Sequence, residues 1–106
     1  MSSHIFDKSA WKKRSLFDQM GNIGSEVGRA INAKKQGDLI SMTAAFYRGL
    51  DLIDATTEGL IEKKSPRAKE VMRSREVYAA SIMTDEIDPT IEKYFMEFAI
   101  AARRRR

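Results

Sequence analysis

Glu26, Asp51 and Asp54 are the residues of this 106-residue chain whose type and spacing suit metal chemistry. Asp51 and Asp54 are three apart, so on a helix they share a face. If the chain reverses tightly at Gly37, Glu26 stands about 11 residues before the turn and Asp51 about 14 after it. Both then lie at similar height on neighbouring antiparallel helices, where three carboxylates can converge. Converging carboxylates suit Mg²⁺, whose octahedron takes hard oxygen ligands and readily adds phosphate oxygens. The same residues also admit a plainer reading, two helices laced by i,i+3 ion pairs, Glu26 with Arg29 and Asp51 with Arg48. Mg²⁺ at Glu26, Asp51 and Asp54 is thus the alternative expectation, and no cofactor is the principal one.

Other catalytic constellations fail on inventory. The chain has no cysteine and one histidine, His4, so it lacks the base or thiol that Ser-His and Cys-His nucleophiles require. It lacks the Cys and His ligands of a zinc site and the paired Glu-x-x-His of a ferritin-like di-metal site. Gly21-Asn22-Ile23-Gly24 lies inside a helical period and is no phosphate loop. No catalytic residues are assigned on these grounds.

The stretch Glu26-x-x-Arg29, followed after 21 residues by Asp51-x-x-Asp54, resembles a degraded form of the all-α (MazG-like) nucleoside-triphosphate pyrophosphohydrolase motif. In that family E-x-x-E and E-x-x-D hold Mg²⁺ over a triphosphate, and here Arg29 stands where the second carboxylate belongs. The resemblance spans residues 20 to 60 and implies an Mg-dependent pyrophosphohydrolase or a nucleotide-binding relic. "QMGNIGSEVGRAI", "RGLDLIDATTEGL" and "YFMEFAIAAR" are similar over most of the chain to a group of short uncharacterised prokaryotic helical-bundle proteins. That group implies a fold and no activity. By architecture the chain also resembles 23S rRNA intervening-sequence proteins and HEPN-type domains. The HEPN ribonuclease pairs an arginine with a later histidine, and no histidine follows His4.

Periodicity predicts the elements that must position these residues. Apolar residues recur at steps of three and four, which is helical and not alternating. A first helix is expected from about Lys8 to Gln36 along Leu16, Met20, Ile23, Val27 and Ile31. Gly37 ends it, and Asp38 caps a second helix, Leu39 to Glu62. Ser65-Pro66 and Asp88-Pro89 open a third, to about Met83, and a fourth that runs into the arginines. The expected fold is all-α, an antiparallel up-down-up-down four-helix bundle over residues 1–102, followed by a basic tail, 103–106. No stretch approaches the roughly 18 apolar residues of a membrane helix, and the absence of cysteine fits a cytoplasmic protein.

The net charge of +4 lies in the tail, because residues 1–102 carry 15 cations and 15 anions. An up-down bundle nevertheless brings the start of the first helix, the loop after the second and the end of the fourth to one pole. The expected polyanion-binding set there is Lys12, Lys13, Arg14, Lys63, Lys64, Arg103, Arg104, Arg105 and Arg106, with Lys8, Arg67 and Lys69 nearby. Asp38, Asp85, Glu86 and Asp88 fall at the opposite pole. Gly21, Gly24 and Gly28 form a small face that predicts close packing of the second helix or of a second subunit. A broad apolar arc on the last helix, Phe95, Phe98 and Ile100, adds to the expectation of a homo-oligomer. Trp11 reads as a core or subunit-contact residue. The expected function is therefore an oligomeric interaction module binding RNA or DNA backbone without reading bases. The further alternative is a purely protein-binding bundle.

Overall fold

A computed structural model describes residues 6–85 and 89–104, with the side chains of the last helix described as far as Ala101. Among the described residues the fold is all-α, with five helices: α1 (Lys8–Lys12), α2 (Leu16–Lys35), α3 (Leu39–Glu62), α4 (Ala68–Met83) and α5 (Pro89–Arg104). Among the described residues no helix is long and apolar enough to cross a membrane.

The helix expected over residues 8–36 is broken in two, so the short α1 precedes the four longer helices. Ser15 is the N-cap of α2, and its hydroxyl accepts the Asp18 N–H at 3.1 Å. Gln19 fastens the break from the other side, its amide donating to the Trp11 and Arg14 carbonyls at 2.8 and 3.3 Å. The Trp11 carbonyl also accepts the Arg14 N–H at 3.1 Å, so the Gln19 amide adds a second bond at the end of α1. The turn at residue 37 forms as its sequence predicts. Gly37 has φ +74°, and the Asp38 carboxylate accepts the Ser41 N–H at 3.1 Å. That bond holds the Asp38 carboxyl below its usual range.

Helix α2 is central, packed along α3 on one side and α5 on the other, while α4 covers α3 and meets α5 only sparsely. Cross-helix pairs give the directions. Glu26 meets Arg48, Asp54 meets Arg75, and Phe17 lies against Phe98 with ring centroids 5.8 Å apart. Successive long helices therefore run antiparallel. Lys34 ties the ends of α2 and α4 by donating to the Ser81 and Thr84 carbonyls. The core is one cluster of Met20, Ile23, Val27 and Ile31 with Phe46, Ile53, Val71, Tyr78, Ile91 and Phe95. Tyr78 is fully buried and donates to the Ala45 carbonyl at 3.2 Å.

Gly24 lies against the backbone of α5, so the small face of α2 is used within the chain at that position, while Gly28 meets nothing within 4 Å. Its neighbour was expected to be the second helix or another subunit, and it is the last helix instead. The open seam is between α4 and α5, a groove of about 440 Å³ over Ser74, Val77, Ile91 and Tyr94. The Tyr94 hydroxyl is shielded from water there and has no well-aligned hydrogen-bond partner among the described residues; the Glu70 carboxylate approaches it without good alignment. Burial, with the Glu70 carboxylate close by, pushes the phenol up to about 12.

Tyr94→Phe removes that hydroxyl and is expected to stabilise the fold by about 1 kcal/mol at neutral pH. Between pH 10 and about 12 the unfolded chain loses the Tyr94 proton while the folded chain keeps it, so stability falls as pH rises. Urea melts at pH 7 and pH 11 should show that fall shrinking in Tyr94→Phe. An identical loss in both proteins would contradict the assignment.

Candidate polyanion-binding end

The start of α2, the end of α3, the start of α4 and the last turns of α5 gather at one end of the molecule. Trp11 is the fastener. It is 8% exposed, and its indole N–H donates to the buried Thr56 hydroxyl at 3.0 Å, which docks α1 on α3. Lys12 then reaches across to α3, with Nζ 2.6 Å from Glu58 and 3.0 Å from Glu62. Lys8 adds a looser contact to Glu58 at 3.6 Å. The hydrogen bonds it donates to the two carboxylates raise the Lys12 ammonium pKa, and the Lys12 bond lowers that of Glu58. These four residues neutralise one another, and Lys12 is a bridge within the fold.

The remaining cations are differently placed. Lys13 and Arg14 stand in the α1–α2 connection, Lys63 and Lys64 in the α3–α4 connection, and Lys69 in the first turn of α4. All five are exposed, and among the described residues none of them pairs with a carboxylate. Arg14 lies over the Trp11 ring at 5.7 Å, which limits the guanidinium's motion while leaving its N–H groups outward. Arg67 pairs with Glu70 at 3.1 Å and sits 5.1 Å over Phe98, tying α4 to α5. Lys64 has φ +57°, the left-handed conformation, as the residue after the α3 cap. Its N–H donates to the Ile61 carbonyl and that of Ser65 to Leu60.

Arg103 and Arg104 continue α5 at this end, where cations also favour the helix dipole. Arg105 and Arg106 lie outside the described residues, as do Glu86 and Asp88 of the opposite pole. Asp18, in the first turn of α2, is a carboxylate at the basic end that the sequence reading left out. Eight cations with described side chains there face six carboxylates: Asp7, Asp18, Glu58, Glu62, Glu70 and Glu97. The end keeps a positive excess, to which the arginines of α5 add in sequence.

The acidic trio is not assembled. Glu26 is mostly buried, with Arg29 at 3.2 Å and Arg48 at 3.2 Å. The Arg48 contact lacks hydrogen-bond alignment, so Oε1 has no properly placed donor. Asp54 is held by Arg75 at 2.7 Å, and Asp51 is exposed. Among the described residues no three carboxylates or imidazoles stand close enough to share a cation. The residues do not fit Mg²⁺. Of the two ion pairs expected instead, Glu26–Arg29 forms, and Arg48 turns to Glu26 rather than to Asp51.

Protein-family models, curated proteins and solved structures were compared with the chain, and none matches. What it does must be read from the two features above, a cationic end built from separate segments and a carboxylate shared by two arginines. The first was visible in the sequence as charge. The second was not, because the Arg48–Glu26 contact joins residues 22 positions apart on different helices.

Proposed function

We propose that this chain is a helical interaction module that binds the phosphate backbone of RNA or DNA at its basic end, without reading base sequence. One observation carries the proposal: five exposed cations from three chain segments, none paired with a carboxylate among the described residues, stand at the same end as the arginine-bearing end of α5. A fold needing only surface charge has no reason to collect it at one end, since dispersed charge serves hydration as well. The mechanism is charge neutralisation with release of condensed counterions. Self-association belongs to the same proposal, and it rests on apolar residues that α3 leaves outward, Leu39 at 66% and Tyr47 at 59% exposure.

Anisotropy of a labelled 20-nucleotide strand over a salt series tests the reading. Each phosphate contact adds roughly 0.7 to the slope of log K against log salt on single strands. Replacing Lys13, Arg14, Lys63 and Lys64 by glutamine should therefore lower the slope by about 2–3 and weaken binding at least tenfold at low salt. An unchanged slope refutes the basic end as the site. Light scattering on the same protein should give at least twice 12.1 kDa, and a mass of 12.1 kDa removes the self-association.

A further inference from the structure

The ion-paired arginines Arg29 and Arg48 also line a groove of about 520 Å³ on the outer side of the α2–α3 hairpin. The groove exists because the facing positions are small: Ala33 on α2, Ala44 and Ala45 on α3. Arg29, Asn32 and Gln36 follow one another along one face of α2, and Ser41 and Arg48 lie opposite on α3. Glu26 is not among the lining residues. It sits behind the guanidinium groups and is mostly buried.

That arrangement has a chemical meaning. Glu26 engages Arg29 through one terminal nitrogen and Arg48 through Nε, so each guanidinium retains N–H groups outside that contact. Two guanidinium groups on one carboxylate leave a local charge of +1, held by a contact that restricts both long side chains. Pre-paying the ordering of donors in this way favours an oxyanion at that end of the groove. Two forks from different helices suit a tetrahedral dianion better than a planar carboxylate, which one fork satisfies. At the other end stands Asp38, roughly 15 Å along the helix axis from Arg48, its carboxylate held ionised by the Ser41 N–H. A second anionic group would be repelled there, so the rest of the ligand is uncharged or presents donors. Asn32 and Gln36 offer amide donors and acceptors between the two ends.

We propose that the α2–α3 groove binds a small phosphate monoester, its phosphate on Arg29 and Arg48 and its neutral, hydrogen-bonding body along Asn32 and Gln36 towards Asp38. This site is separate from the basic end. A nucleic-acid backbone lying along it would bring phosphates against Asp38, so the two sites take different ligands.

NMR of the full chain tests the proposal, following the Nε–Hε signals of Arg29 and Arg48 at constant ionic strength. Inorganic phosphate should shift both signals saturably, and ribose 5-phosphate should do so with roughly tenfold higher affinity. Ala44→Leu fills the groove at an exposed helical position without touching a charge, and it should weaken ribose 5-phosphate binding at least tenfold. Arg48→Gln should do the same while leaving oligonucleotide affinity unchanged, which separates this site from the basic end. The proposal is overturned if neither arginine signal shifts, if Ala44→Leu binds as tightly as the native chain, or if the shifts map only to Lys13, Lys63 and Lys64.

Discussion

Replacing Gly24 and Gly28 by alanine, one turn apart on α2, should move stability in opposite directions. A Cβ on Gly24 would lie 2.8 Å from the Phe95 Cβ and 3.2 Å from its carbonyl oxygen. Backbone cannot rotate out of the way as a side chain would, so the α2–α5 contact must open along its length. Overpacking of this kind costs about 1–3 kcal/mol, against which the helix gains about 1 kcal/mol from losing a glycine. The net effect is a loss of up to about 2 kcal/mol. A Cβ on Gly28 meets nothing within 4 Å, so only the gain of about 1 kcal/mol remains. Thermal melts of the two variants should be separated by roughly 10 °C on a domain of this size. Equal melting temperatures would mean that α5 does not rest on Gly24.

Trp11→Ala should be the most damaging single substitution at the basic end. The indole is almost wholly buried, it packs edge-on to Phe6 with centroids 6.3 Å apart, and its N–H occupies the Thr56 hydroxyl. Removing it costs about 3–5 kcal/mol, a large share of the 5–15 kcal/mol that holds a small domain together. The loss also releases Lys12 from Glu58 and Glu62 and frees Lys13 and Arg14 from a fixed position. Circular dichroism should show a lowered melting midpoint, and oligonucleotide affinity should fall with it. Trp11→Phe keeps most of the packing and leaves the Thr56 hydroxyl without its donor, so it should lie between the two. A Trp11→Ala protein as stable as the native chain would show that α1 is not docked. In the native chain the single tryptophan should emit at the short wavelength of a buried indole.

The bounds of α3 and the start of α5 were legible because their signals are local: a glycine and a capping aspartate at one, a proline at the other. The break between α1 and α2 had a local signal too, Ser15 three residues before Asp18. The unbroken apolar period from Leu16 onward pointed instead to a helix running on from Lys8. Gln19 decided the matter by turning its amide back to the Trp11 and Arg14 carbonyls, a contact no spacing rule reveals. At the basic end, charge was readable and pairing was not. Lys12 and Lys13 are identical in type and adjacent in sequence, yet one is bound to two carboxylates and the other is exposed. The difference lies in the angle at which α1 docks on α3. The metal reading failed for a related reason. It treated Glu26 and Asp51 as equivalent in height and ignored rotation about each helix axis, which buries one and exposes the other.

Lys64 is a lysine in a backbone conformation that glycine adopts without strain and a side chain adopts at about 1–2 kcal/mol. The α3 cap needs that conformation, because the next amide must turn back to the Leu60 carbonyl. Glycine would make the same cap more firmly and would carry no charge. The loop thus trades firmness for a cation held at a fixed angle to the end of the bundle. Backbone strain here and electrostatic potential at the basic end are two readings of the same residue. Relieving the first with glycine necessarily diminishes the second.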